Sequence, residues 1–337
     1  MAVGEVVNCQ SRAIMGQPSG RAIAAASAGR CHNLGNCKPA RFLRSSISLS
    51  QSLTTFFLNR TMQANSRWIT IFCSSLLVVL PFGSAFAQVL IPVNPPELRP
   101  GLLAGYLPRA QLPDSFRLLA PPPASGSAAQ QADEAAYQST LALVGSARWH
   151  LAARDAVLKF PAAADVFSCT LGATISEKQT PHLYTLLRRS YVDAGLATYA
   201  AKDRYARVRP FVISKLPTCT PAEEAALAKD GAYPSGHAAL GWAWGLLLAE
   251  MMPEKSQAVL ERAKAFGQSR HICGVHWQSD IAAGQLVGSA AVARLHVDPV
   301  FKAQFALAQA ELQASMGSGP NAGLDCASES AALASQP

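Results

Sequence analysis

GAYPSGHAALGWAWGLLLAEMM, residues 231–252, decides the fold. Pro234-Ser235-Gly236-His237 stands at the head of a helix predicted over 236–252, whose body reads AALGWAWGLLLAEMM. Ser235 is a fitting N-cap, and Gly236 lets the backbone come close to an anion. The free N–H groups and positive dipole end of such a helix form an anion site before any side chain is counted. An ordinary capped helix after a turn would also carry Pro-Ser-Gly, but it leaves His237, one residue further on, unexplained.

Outward from this stretch, alanine-rich helical periodicity runs from Gly126 onward. Helices are predicted over 127–157, 160–173, 181–209, 222–229, 254–270, 277–295 and 299–315. Few runs alternate with period two. The expected fold is therefore all-α, one compact helical domain over 126–317, large enough to bury a substantial core. Residues 88–125 are dense in proline, including Pro121-Pro122-Pro123, which predicts an extended segment packed on that core by its interleaved Leu, Tyr106 and Phe116. Residues 318–337 are expected to be a flexible tail.

Two further blocks flank the central one. Lys202 and Arg209 are seven apart, so a continuous helix ending near Pro210 would carry both on one face, where two cations can hold one phosphate. A solvated basic helix end, with Arg204 and Arg207 nearby, is the plainer reading of the pair alone. The third block is Ser269-Arg270, then His276 and Asp280 four apart. A carboxylate at that spacing can accept from one imidazole nitrogen and so fix the tautomer that presents the other. The remaining histidines at 150, 182, 271 and 296 show no ligand spacing and read as structural or surface groups. Trp242, Trp244 and Trp277 read as core, and Arg148 with Asp155 as a structural salt bridge.

The chain has 337 residues and a formal charge of +8, most of it near the beginning. Arg67 opens RWITIFCSSLLVVLPFGSAFA, a basic start and an apolar run ending in Ala85-Phe86-Ala87, the form of a secretory signal cleaved before Gln88. Met62 is a natural start for that leader, over 62–87. Residues 1–61 then form an upstream extension without a structural role, with an organellar transit peptide as the alternative. Without residues 1–87 the chain keeps 21 basic and 20 acidic side chains, a net +1, so its charge gives no reason to expect nucleic acid as a partner. No later segment has 18 consecutive apolar residues, which argues against membrane insertion. Four cysteines follow the leader, Cys169, Cys219, Cys273 and Cys326, compatible with two disulfides in any of three pairings.

In their order and spacing the three blocks resemble those of the phosphatidic-acid-phosphatase-type (PAP2) superfamily. The likeness is greatest to the bacterial class A non-specific acid phosphatases. It extends through GYLPRAQLPDSFRLLAPPPASGSAAQQADEAAY (105–137), GAYPSGHA (231–238) and SRHICGVHWQSD (269–280). The subgroup's usual GSYPSGHT is altered here at Ala232 and Ala238, which replace hydroxyls peripheral to the pocket chemistry. The resemblance implies a metal-independent, cofactor-free phosphomonoesterase, periplasmic or secreted, acting on small phosphate monoesters through a phosphohistidine. Transfer of phosphate to alcohols is a further capacity of that route. His276 would be the nucleophile, His237 the general acid and base, and Asp280 the group orienting His276. Lys202, Arg209, Ser235, Gly236 and Arg270 would bind phosphate. Two alternatives stand beside this reading, a vanadium-dependent haloperoxidase built on the same residues and a non-catalytic oxyanion-binding protein. The oligomeric state is open, a homo-oligomer included.

Overall fold

The computed structural model describes residues 90–335 apart from Val93; the leader and the extension before it lie outside the described residues. A two-stranded antiparallel hairpin, β1 (Glu97–Arg99) and β2 (Leu102–Leu103), begins the described chain. Helices follow in order: α1 (Ser115–Leu118), α2 (Ala128–Thr140), α3 (Ala147–Asp155), α4 (Ser168–Leu171), α5 (Pro181–Leu196), α6 (Tyr199–Tyr205) and α7 (Pro210–Ser214). After α8 (Glu224–Leu227) come the long helices α9 (Gly236–Met251), α10 (Ser256–Ile272), α11 (Gln278–Leu295) and α12 (Pro299–Ser315), then α13 (Cys326–Ala334). Side-chain caps explain many of these starts. Ser127, Ser146, Ser235, Asp298 and Asp325 each accept a backbone N–H of their own first turn.

The 231–252 stretch lies at the centre. α9 packs against α5, α10 and α11, and its Leu240, Trp244, Leu247, Leu248 and Met251 are buried. A helix apolar on every side has to be covered on every side. Close approach is bought by glycine at two crossings: a methyl at Gly241 would strike the Phe266 ring of α10, and one at Gly288 of α11 would strike the Ala239 carbonyl.

The proline-rich segment is packed on the core by its buried Leu103, Tyr106, Leu107 and Leu119, but Phe116, expected to pack there, is 41% exposed beside Tyr205, and the segment also holds a small hairpin that its composition did not announce. Its anchor is Asp193 of α5, which accepts the amides of Tyr106 (2.8 Å) and Leu107 (3.0 Å). Arg189 donates to the carbonyls of Ala104 and Gly105 and lies 3.8 Å over the Tyr106 ring.

Several boundaries differ from the sequence expectation. The helix expected over 127–157 breaks between Thr140 and Ala147, where Gly145 takes φ +76. The segment 160–173 is mostly a 3-10 turn, Ala162–Phe167, followed by the one-turn α4. The helix expected over 181–209 is divided into α5 and α6 and stops at Tyr205, where Ala206 enters the left-handed region at φ 42. Arg209 is then extended (φ −78, ψ 152), the conformation that a following proline imposes. Lys202 and Arg209 therefore do not share a helix face. The tail expected to be flexible carries α13, tied to α4 by the Cys169–Cys326 disulfide. The second disulfide, Cys219–Cys273, joins the loop after α7 to the end of α10.

The salt bridge expected between Arg148 and Asp155 does not form. Asp155 pairs with Arg262 (2.6 Å), which also reaches Glu329 of α13 (3.1 Å). Arg148 instead donates to the hydroxyl of Ser269 (3.0 Å), which donates to Asp155 (2.6 Å). These buried groups are satisfied mainly by one another, with Arg148 Nε left without a partner among the described residues.

Candidate active site

The three blocks, far apart in sequence, meet at one cavity of about 290 Å³. Lys202, Arg209, Gly236, His237, Arg270 and His276 line it, and Ser235 and Asp280 stand directly behind. One hydrogen bond joins two of the blocks: the Ser235 amide donates to the Asp280 carbonyl at 2.9 Å, fixing the start of α9 against the start of α11. Ser235 caps α9 by accepting the Ala238 amide (3.3 Å). The amides of Gly236 and His237 have no protein acceptor among the described residues, as the first turn of a helix leaves them.

His276 sits in the short loop between α10 and α11. Its Nδ1 faces Asp280 Oδ2 at 3.4 Å, and its Nε2 faces Arg209 Nη1 at 2.9 Å. A guanidinium can only donate, so Nε2 carries the lone pair and Nδ1 the proton that points to Asp280. Asp280 is held in turn by the Trp277 amide (2.8 Å) and by Arg207 Nη1. Burial raises the Asp280 carboxyl to about 6, against the opposing pull of Arg207. His276 is held well below the ordinary imidazole value by burial and then by Arg209, Lys202 and Arg270.

His237, first turn of α9, donates Nε2 to the Ala156 carbonyl at 3.1 Å and lies stacked near Phe266. That contact puts the neutral ring's proton on Nε2 and leaves Nδ1 for exchange. Burial, then Arg270, pushes its pKa well down as well. Ala156 directly follows Asp155, so the Asp155–Arg262–Ser269 cluster holds the backbone that holds His237.

The cations are in unequal states. Arg209 is saturated by carbonyls of Leu227, Asp230, Gly231 and Val275 and by the Asp230 carboxylate. Lys202 donates to Gly231 O (2.6 Å), and burial lowers its ammonium to about 8. Arg270 is fully buried, its Nε, Nη1 and Nη2 have no hydrogen-bond partner among the described residues, and Glu223 comes no nearer than 3.8 Å. Burial lowers it to about 10. A guanidinium left this way awaits an anion.

All eight site residues read from the sequence are thus brought together. Three groups were missed. Arg207, read only as a nearby basic residue, bridges Asp280 and Asp133 (2.8 Å) and lies 5.5 Å from the Trp277 ring. Asp230 pairs with both Lys202 (3.3 Å) and Arg209 (3.0 Å). The Ala156 carbonyl, a backbone group, has no signal in sequence at all.

A helical domain that gathers three cations, two imidazoles and a helix N-terminus around one cavity belongs to the class of proteins that hold a tetrahedral oxyanion for phosphoryl chemistry. Comparison with known proteins agrees with this. The model of the PAP2 superfamily matches residues 182–302, a stretch containing all eight site residues. The chain is 41% identical over 244 residues to a non-specific acid phosphatase of Providencia stuartii, covering 72% of this chain and 96% of that protein. It is 41% identical to an acid phosphatase of Zymomonas mobilis (59% and 76% covered) and 43% identical to a non-specific acid phosphatase of Salmonella typhimurium (58% and 78% covered). The chain belongs to the PAP2 superfamily, and within it to the group of bacterial non-specific acid phosphatases.

Proposed function

We propose that the protein is an exported acid phosphatase that hydrolyses small phosphate monoesters through a phosphohistidine on His276, without a metal. The observation that carries the reading is the placement, in one cavity, of a buried guanidinium, Arg270, without a hydrogen-bond partner among the described residues and an imidazole, His276, whose Nε2 carries its lone pair and accepts from Arg209. Arg270 and Lys202 take the phosphoryl oxygens, Arg209 adds its positive charge from the wall while its own N–H groups stay engaged, and the Gly236 and His237 amides at the start of α9 add neutral donors. Ser235 keeps that helix terminus in place. Three fixed positive charges supply the neutralisation for which other phosphatases use metal ions, which supports metal independence.

In the first step Nε2 of His276 attacks phosphorus, the bond from phosphorus to the ester oxygen breaks, and His237 gives its Nδ1 proton to the leaving alkoxide. In the second, a water loses its proton to His237 and attacks the phosphohistidine, the N–P bond breaks, and phosphate leaves. Asp280 holds the Nδ1 proton of His276 throughout and offsets the charge on the phosphorylated ring. An alcohol in place of water gives phosphate transfer. Arg270 depresses the His237 pKa in the free site. A bound phosphate anion offsets that charge, so substrate binding itself favours the imidazolium the first step needs.

Export rests on the leader over 62–87 and is supported by two disulfides, which persist in oxidising compartments. Among the described residues no helix is long and apolar enough to cross a membrane. The test is p-nitrophenyl phosphate hydrolysis by the chain beginning at Gln88, across pH 4 to 8, with EDTA and with vanadate. Hydrolysis that survives EDTA and falls with vanadate is expected. Absent hydrolysis, with bromide oxidation once vanadate and peroxide are added, would overturn the reading in favour of a haloperoxidase.

A further inference from the structure

The cavity contains one carboxylate among its described lining residues, Asp230, in the loop before α9. Its Oδ2 lies 3.0 Å from Arg209 Nη2 and 3.3 Å from Lys202 Nζ, the two cations on that wall, and its side chain is 37% exposed. Two other acids are near: Asp280 lies behind His276 and is bound to Arg207, and Glu223 stands 3.8 Å from Arg270 without lining the cavity. A phosphoryl group beside Lys202 and Arg209 must therefore share the charge of both cations with a carboxylate already on them. Two anions on the same cations repel one another, and the repulsion grows with the charge of the incomer.

We propose that Asp230 is a specificity-determining residue that sets the charge state of the phosphate ester the site accepts, disfavouring the dianion against the monoanion. The inference rests on the phosphatase reading of the same cavity. The groups around Asp230 are consistent with this role: Lys202 and Tyr199 from α6, Arg209 before α7, Arg270 from α10, and the two histidines. Two are guanidiniums and the third, Lys202, is an ammonium brought by burial to about 8, so below that pH one carboxylate cancels a third of the positive charge facing substrate. Its field also reaches Tyr199, whose phenol is pushed up by burial first and by Asp230 next. The second ionisation of a phosphate ester falls near pH 6. A site that penalises the dianion loses substrate affinity as pH rises through that value, which gives an acidic optimum independent of the histidines. The same carboxylate would hasten departure of the product phosphate.

The experiment compares Asp230→Asn and Asp230→Glu with the parent chain. Inorganic phosphate binding is read by calorimetry at pH 5 and pH 7, both below the Lys202 value of about 8, and kcat/KM for p-nitrophenyl phosphate is measured at the same values. Asn keeps an acceptor for Arg209 and removes the charge. It should tighten phosphate binding by ~3-fold at pH 5 and by more, up to about the square of that, ~10-fold, at pH 7, since the repulsion scales with ligand charge. The alkaline limb of kcat/KM should move up in pH for Asn and stay in place for Glu. An equal change at both pH values, weaker binding in Asn, or an Asn-like profile in Glu would each overturn the proposal. Calorimetry needs no turnover, so the proposal and the phosphatase reading fail separately: a parent chain that binds phosphate without hydrolysing ester contradicts only the latter.

Discussion

Replacing Arg270 by methionine should make the empty protein more stable and the enzyme inactive. Arg270 is fully buried, and among the described residues every nitrogen of its guanidinium lacks a hydrogen-bond partner and the nearest carboxylate is 3.8 Å away. Burial brings its pKa down to about 10, a drop that corresponds to about 3 kcal/mol of disfavoured charge in the folded state. Because the folded value lies below the unfolded one, the penalty applies throughout the pH range below about 10. Methionine matches the stem, removes the charge and leaves nothing unpaired, so urea unfolding of Arg270→Met without phosphate should show a gain of about 1–3 kcal/mol. Added phosphate reverses the order. At one hundred times its Kd it should stabilise the parent by about 3 kcal/mol and the variant by almost nothing. Loss of more than about 1 kcal/mol in the phosphate-free variant would refute the reasoning, since it would mean that Arg270 is already satisfied within the fold.

Three further outcomes follow from the structure. Arg262→Met leaves Asp155 charged, buried and unpaired, so it should cost about 3–5 kcal/mol in urea unfolding; among molecules still folded, kcat should fall more than KM rises, because Asp155 precedes the carbonyl that holds His237. Asp193, raised to about 6 by burial, binds its proton more tightly folded than unfolded, so its contribution is full below the unfolded value of 3.8 and is lost as pH rises through about 6. Relative to Asp193→Asn, the parent should therefore gain about 2 kcal/mol of unfolding free energy between pH 7 and pH 4, measured by urea titration at each pH. Arg207→Met should leave Asp280 without its strongest counter-charge and raise the carboxyl further, so the acid limb of kcat should move to higher pH, read from a full pH profile.

Much of the site was legible because local rules govern it. The Ser235 cap, the small residue at 236 and the four-residue step from His276 to Asp280 depend only on neighbours in the chain, and the structure contains each of them. What could not be read depends on distance. The partners of Arg207, Asp133 and Asp280, lie 74 and 73 residues away from it. The pairing of four cysteines follows from where α4, α10 and α13 come to rest. Two misreadings had local signals. Pro210 forbids a helical Arg209, which contradicts the shared face assumed for Lys202 and Arg209. Asp325 before the alanine-rich 326–334 is a helix start of the kind recognised at Ser235. The pairing of the two cations survived the wrong helix because the chain turns at Ala206 and brings Arg209 back to the same cavity.

The most direct test of the account is to locate the covalent intermediate. The chain beginning at Gln88 is mixed with p-nitrophenyl phosphate, quenched in alkali within one turnover, digested and weighed by mass spectrometry. The account predicts one added phosphoryl group on the peptide containing His276, absent in His276→Ala, which should also lose at least ~10³-fold in kcat. Full turnover in His276→Ala, or a phosphoryl group on another residue, would contradict it.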